Sequence, residues 1–414
     1  MFIYAHIKEE GKSVIILFTI LVGMFMAFTI GANDVANGMA TAVGAKAITP
    51  KQAAFLASFL EFLGAVMFGA TVTKTIANGI VSIEHITNPN HIIYGALSAL
   101  LAAAIWVMLA TVFGMPVSTT HSIIGGMIGF GLVSGGVKVV YWAKLGKIVL
   151  SWIISPVVGG LLAFIVFKII VLTILHRPSP LKAAKKVSPV LIGFTFFLIS
   201  FLFSLKTLKK PYSVSLLTGS VFFVVTFILS SLLLRKITNN KGDEYNAVEG
   251  IFRRVQVMTS AYVCFSHGAN DVANAVGPVA LIFMIRQAGT TNVGAIEIPK
   301  YILFVGGLGI ALGVLVYGYK VMETVGHNIT ELNNTRGFSV DFGTATTVLL
   351  SSIFGFPVST THTVVGAVTG VGLARGIEVI NIWILKDILI SWFITVPFSA
   401  GVSAIFYLIF TRLF

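Results

Sequence analysis

Two short stretches occur twice each in this chain, and both combine residue types that can hold ions. Gly31-Ala32-Asn33-Asp34-Val35-Ala36-Asn37 reappears as Gly268-Ala269-Asn270-Asp271-Val272-Ala273-Asn274, identical and in the same order. Each copy puts a carboxylate and two amides within about one helical turn. An ionised Asp at membrane depth costs roughly several kcal/mol and seldom persists without a partner. Carboxylate, Asn carbonyl, hydroxyl and freed backbone carbonyl oxygens are the hard ligands a sodium ion takes. Asn33, Asp34, Asn37, Asn270, Asp271 and Asn274 are therefore candidate sodium ligands, and Gly31 and Gly38 would let the helix unwind and bare its carbonyls. A helix-packing seam of small residues and bonded amides would account for one copy, but packing does not require the same order of Asn, Asp and Asn twice.

The second pair is Pro116-Val117-Ser118-Thr119-Thr120-His121 and Pro357-Val358-Ser359-Thr360-Thr361-His362. Proline stops one helix, the serine is a good N-cap, and the next helix starts at once. A helix amino end offers unpaired N–H donors and partial positive charge, the combination that holds a tetrahedral oxyanion. Ser118, Thr119, Thr120, Ser359, Thr360 and Thr361 add uncharged donors, and with Asn33 and Asn270 they form the candidate anion set. Plain helix capping is the alternative for either copy alone. His121, His362 and His267 read as hydrogen-bonded packing residues and stay outside the set; Ile30 stands where the second half has His267. Glu61 and Glu323 are further carboxylates in apolar runs and candidates for coupling or gating, with an inter-helix ion pair as the competing role. Lys74 aligns with Glu323.

The elements that must position these groups are membrane helices. Of the 414 residues 56% are hydrophobic and only 10% charged, with a mean hydropathy of +0.96. No water-soluble fold needs that much apolar surface, and runs of the required ~20 apolar residues recur along the chain. The net charge of +13 is scattered through short connections and forms no basic face, which argues against nucleic acid. The most basic loops, 176–188 and 235–254, are expected in the cytoplasm by the positive-inside rule. Lys206, Lys209 and Lys210 are a weak counter-signal. Cys264 is the one cysteine, so neither an internal disulfide nor a cysteine-based transition-metal site is expected. The apolar run from Ser13 is longer than a leader's core and reads as a retained first helix.

The order of the repeats marks a duplication: residues 1–175 and 249–414 are the halves, and 176–248 a two-helix insert with spans at Pro189–Leu205 and Tyr212–Leu234. A weaker pair, Ser151-Trp152 with Pro156 against Ser391-Trp392 with Pro397, and Gly64 and Gly69 against Gly313 and Gly318, follow the same order. Each half reads as five helices: one ending at the Asn-Asp motif, one rich in Ala and Gly, one ending before Pro-Val-Ser, one beginning at that Ser, and a long last run. Lys144 to Leu175 is too long for one straight span and implies tilt or a break near Ser155-Pro156. With five crossings per half and two in the insert, about twelve membrane segments in all, equivalent helices point oppositely. Were 118–136 a re-entrant hairpin, the halves would be parallel.

Both motifs, each present twice, resemble the inorganic phosphate transporter family, sodium- or proton-coupled carriers. The resemblance spans both halves. It implies an all-α polytopic carrier of two inverted repeats with broken or re-entrant helices, phosphate held between them, and Asn33, Asp34, Asn270, Asp271 and the Ser-Thr-Thr segments binding phosphate and its cations. Glu61 and Glu323 match acidic positions of the family, whereas Lys74 departs from its pattern. The expected activity is secondary active import of phosphate with at least two sodium ions by alternating access, in the cell membrane and without cofactor. A homodimer is one assembly open to it. Proton coupling, or sulfate as cargo, is the alternative within the family. A membrane-embedded enzyme using Asp34 and Asp271 is disfavoured because no nucleophile–base pair or metal motif accompanies them.

Overall fold

The computed structural model describes residues 2–113, 117–237, 243–291, 298–319, 321–322, 333–376 and 382–413, with side chains from residue 15 onward except at 377–389, 391 and 392. Among the described residues the α-helices are α1 (Phe2–Gly44), α2 (Pro50–Gly79), α3 (Pro89–Val112), α4 (Thr119–Gly135), α5 (Trp142–Ile170), α6 (Pro180–Leu202), α7 (Tyr212–Arg235), α8 (Glu244–Ala288), α9 (Lys300–Gly313), α10 (Asn334–Ile353), α11 (Thr360–Arg375) and α12 (Ile382–Leu413). Wider turns extend α5 to Leu175, α6 to Thr207 and α9 to Gly318. Among the described residues nine helices are long and apolar enough to cross a membrane: all but α4, α10 and α11. At ~1.5 Å per residue α4 and α11 reach about 25 Å, short of the ~30 Å hydrocarbon layer.

Local chemistry starts several helices where the residues dictate. Thr49 and Gln52 close a capping box before α2, and Asn88 accepts the Asn90 amide before α3; Pro50 and Pro89 open those helices. Asp243 caps α8 through the Tyr245 and Asn246 amides.

Glycine decides how closely the helices meet. A methyl group on Gly31 of α1 would lie 2.0 Å from the Ile310 carbonyl oxygen of α9, and one on Gly313 the same distance from that of Phe28. The other half repeats the arrangement: Gly268 of α8 abuts the Glu61 carbonyl of α2, and Gly64 that of Phe265. Likewise α11 presses Gly366 on Pro156 of α5, and α4 presses Gly125 on Val396 of α12. All of these contacts join one half to the other, so the halves interleave. Gly23 meets Val279 and Gly38 meets Cys264, so α1 and α8, which carry the same motif, pass antiparallel.

Three sequence expectations are corrected. α1 does not end at the Asn-Asp motif, nor does α8; both run on for further turns, and Gly31 and Gly38 serve close packing without unwinding. The break near Ser155-Pro156 is absent: α5 continues through Pro156, and its irregular turn is Val171–Leu175. A proline removes one helical hydrogen bond, and α11 packs tightly on that segment. Lastly, α6 begins at Pro180, not Pro189, because Glu244 of α8 accepts hydrogen bonds from the Ser179 hydroxyl and the Leu181 amide at its start.

Candidate functional site

The amino ends of α4 and α11 meet between the halves. Ser118 Oγ accepts the His121 amide at 3.2 Å and Ser359 Oγ the His362 amide at 3.3 Å, so both serines act as N-caps. The helical ladders begin with Ser122 N–Ser118 O and Thr363 N–Ser359 O. The amides of Thr119, Thr120, Thr360 and Thr361 therefore have no acceptor within their own helices. Thr120 Oγ1 donates to the Val358 carbonyl at 3.0 Å, and the His121 and His362 rings stand 4.4 Å apart, edge to face. Two helix amino ends thus face one another across the centre.

Into this centre α1 and α8 bring the Asn-Asp motifs. Asn37 Nδ2 donates to Asp34 Oδ1 at 3.1 Å and to Thr361 Oγ1 at 2.9 Å. In the mirror arrangement Asn274 Nδ2 donates to Asp271 Oδ1 at 3.2 Å and to Thr120 Oγ1 at 3.1 Å. Each motif is therefore bonded to the Ser-Thr-Thr segment of the opposite half. Thr360 and Thr120 hydroxyls point at Asp271 from 3.1 and 3.4 Å. Asn33 Nδ2 is held by Thr111 Oγ1 at 2.6 Å, and Asn270 Nδ2 by Ser352 Oγ and the Phe356 carbonyl.

These bonds separate the roles the sequence left shared. The amide donors of Asn33 and Asn270 are engaged with protein, while the carbonyl oxygens of Asn270 and Asn274 are buried without a hydrogen-bond partner. An orphaned carbonyl oxygen costs free energy unless it meets a donor or a cation. Asn270 and Asn274 therefore offer a cation free oxygens, Asn33 and Asn270 have no free amide donor to offer an anion, and the threonine amides without an acceptor in their own helices suit the anion. Of the candidate residues described, Asn37 alone is half-buried and the others are buried.

Two side chains join the site that the sequence reading left out or did not single out. His267 Nε2 lies 2.7 Å from Asp271 Oδ2 and 3.7 Å from Asp34 Oδ2, and its Nδ1 lies 3.3 Å from Glu61 Oε1. Asp34, His267 and Asp271 offer ligand atoms all within 4.8 Å of one another. The signal in the sequence was spacing: His267 precedes Asp271 by four residues and so shares its helix face. Asp341 of α10 is a further buried carboxylate, accepting from Thr41 at 2.8 Å and Ser260 at 2.5 Å. Thr41 lies one turn beyond Asn37, so a polar seam leaves the centre between α1, α8 and α10. Glu61 is buried against His267, and Lys74 is exposed on α2. Pro116 and Glu323 lie outside the described residues.

Residues 30–403 match the model of the phosphate transporter family. A protein of Pyrococcus abyssi, provisionally named a phosphate permease, is 54% identical over 95% of this chain and 97% of its own length. Inorganic phosphate transporter 2-1, chloroplastic, of Arabidopsis thaliana is 39% identical over 95% of this chain and 72% of its own. The solved structure of a sodium-dependent phosphate transporter superposes with a TM-score of 0.93 at 54% identity, covering 97% of this chain and all of that one.

Proposed function

Because this chain belongs to the phosphate transporter family, we propose that it imports inorganic phosphate as a secondary transporter driven by at least two sodium ions. The observation that carries this reading is the meeting of Asp34 and Asp271 between the amino ends of α4 and α11. Asp34, Asp271 and a monobasic phosphate sum to about −3 beside the Glu61–His267 pair, and a buried site does not hold such charge without cations. Two sodium ions, one at each Asn-Asp motif, leave about −1 for the helix ends to hold; dibasic phosphate needs about three. The oxygens of Asp34, Asp271, Asn270 and Asn274 are the hard donors sodium takes. Thr119, Thr120, Thr360 and Thr361 present amides and hydroxyls to the anion.

The antiparallel passage of α1 and α8 supports inverted repeats, and inverted repeats support alternating access about a site between them. On this reading the chain is a multi-pass protein of the cell membrane, with the basic segments 176–188 and 235–254, expected as loops but helical from Pro180 and from Glu244, on its cytoplasmic side.

Reconstituted vesicles test it. Labelled phosphate should enter under an inward sodium gradient, and a reversal-potential measurement should return at least two Na⁺ per phosphate. Full uptake under a proton gradient in sodium-free buffer sinks the sodium assignment; His267 amid the carboxylates is the observation favouring that second reading. Unlabelled sulfate that competes as well as phosphate would change the cargo.

A further inference from the structure

The halves place matching residues in matching positions around the site, but the side chains that face the two aspartates are not all alike. Where α8 presses on α2, His267 faces Glu61. Where α1 presses on α9 in the same manner, the corresponding residues are Ile30 and Ile310, both buried in the apolar core. The polar pair exists on one side only.

That pair acts on one of the two carboxylates. The imidazole Nε2 stands 2.7 Å from Asp271 Oδ2 and a full 1 Å farther from Asp34 Oδ2, at 3.7 Å. Asp271 already receives Thr360 and Asn274, with the Thr120 oxygen 3.4 Å away, whereas Asp34 has Asn37 and the Thr119 hydroxyl beside it. Glu61 faces the other ring nitrogen at 3.3 Å, on the side of the ring away from Asp271. A cation arriving at Asp271 must share an oxygen that His267 approaches to 2.7 Å, whereas at Asp34 the same nitrogen stands back at 3.7 Å and competes less.

We propose that Glu61 and His267 are positioning residues that make the two cation positions unequal: the Asp34 position fills first and tightly, the Asp271 position last and weakly. This rests on the sodium reading above. The chain Glu61–His267–Asp271 then sets the sodium concentration at which the carrier becomes fully loaded, and the Ile30–Ile310 side sets none.

The test is calorimetric titration of purified protein with sodium chloride in the absence of phosphate, with thermal melting as the check of folding. Wild type should bind two ions with affinities at least about tenfold apart, the scale of one charge-assisted contact. The double variant Glu61→Ile/His267→Ile copies the apolar pair the other half already accommodates, and removing both partners leaves neither buried and alone. In it the weaker affinity should rise until the two merge. Glu61→Gln, nearly isosteric, should narrow the gap without closing it, and it decides the matter if the double variant does not melt cooperatively. Two indistinguishable sodium affinities in wild type, or a gap unchanged in these variants, overturns the proposal. Wild-type protein that gives no sodium heat but transports phosphate under a proton gradient overturns the sodium reading itself, a different failure.

Discussion

Each threonine at the centre does two things, and the geometry distinguishes them. Thr120 and Thr361 accept from the asparagine of the opposite half while their own amides have no acceptor within their helices, so they connect the Asn-Asp motif to the helix end proposed to hold the anion. Replacing either by Val keeps the shape and removes the hydroxyl. Phosphate affinity should fall by roughly 1.5–3 kcal/mol, the worth of a hydrogen bond to a charged group. Equilibrium binding of labelled phosphate at saturating sodium measures it; unchanged affinity in both variants would reduce these helix ends to capping. Asp34→Asn and Asp271→Asn each remove a charge from the cation pair, and in vesicles each should lower the steepness with which uptake depends on sodium. The same steepness as wild type in both would remove these carboxylates from the cation sites.

At the level of helices, the glycines of the repeated motifs do a different job from the one their flexibility suggests. Gly31, Gly64, Gly268 and Gly313 let a helix rest on the carbonyl of its neighbour, where an added methyl would lie at 2.0 Å or less. Such an approach cannot be relieved by turning a side chain, since the obstacle is backbone. Gly31→Ala or Gly268→Ala should therefore destabilise the folded protein by about 1–3 kcal/mol. Gly146 has nothing within 4 Å of an added methyl, so Gly146→Ala in mid-helix should be neutral or stabilising by up to about 1 kcal/mol. Thermal unfolding in one detergent separates the two classes, and equal melting temperatures would mean that the helices separate easily. Because these helices carry Asn33, Asp34, Asn270 and Asp271, the packing also sets the distance between the two carboxylates.

For the molecule as a whole, access to the site is uneven. Asn37 and Asn274 are equivalent, and each lies one turn beyond its aspartate on helices that run antiparallel, so they lie on opposite sides of the centre. Asn37 is half-buried and Asn274 fully buried. The open side is the one toward the start of α8, whose first turns carry part of the basic segment 235–254, and the topology proposed above puts that side in the cytoplasm. A methanethiosulfonate reagent should modify Asn37→Cys faster than Asn274→Cys, and from the cytoplasmic side, in a protein whose native Cys264 is buried. Equal rates, or modification of Asn274→Cys first, would reverse the direction in which this conformation opens.

What the sequence by itself determined is what depends on neighbours within a turn or on composition: membrane helices from apolar runs, the duplication, the N-caps at Ser118 and Ser359, and the gathering of Asn and Asp on one helix face. Those features follow from local sterics and burial, which need no knowledge of what lies opposite. Only the tertiary structure decided which half each motif bonds to, that Gly31 packs where unwinding was expected, and that α6 starts at Pro180 under a cap supplied by Glu244. It also brought His267 among the carboxylates and gave Asp341 its partners on α1 and α8. The reason is common to all of these: a buried polar group is stabilised by whichever partner faces it, and that depends on helix contacts between residues some tens to hundreds of positions apart, set by close packing across the two halves.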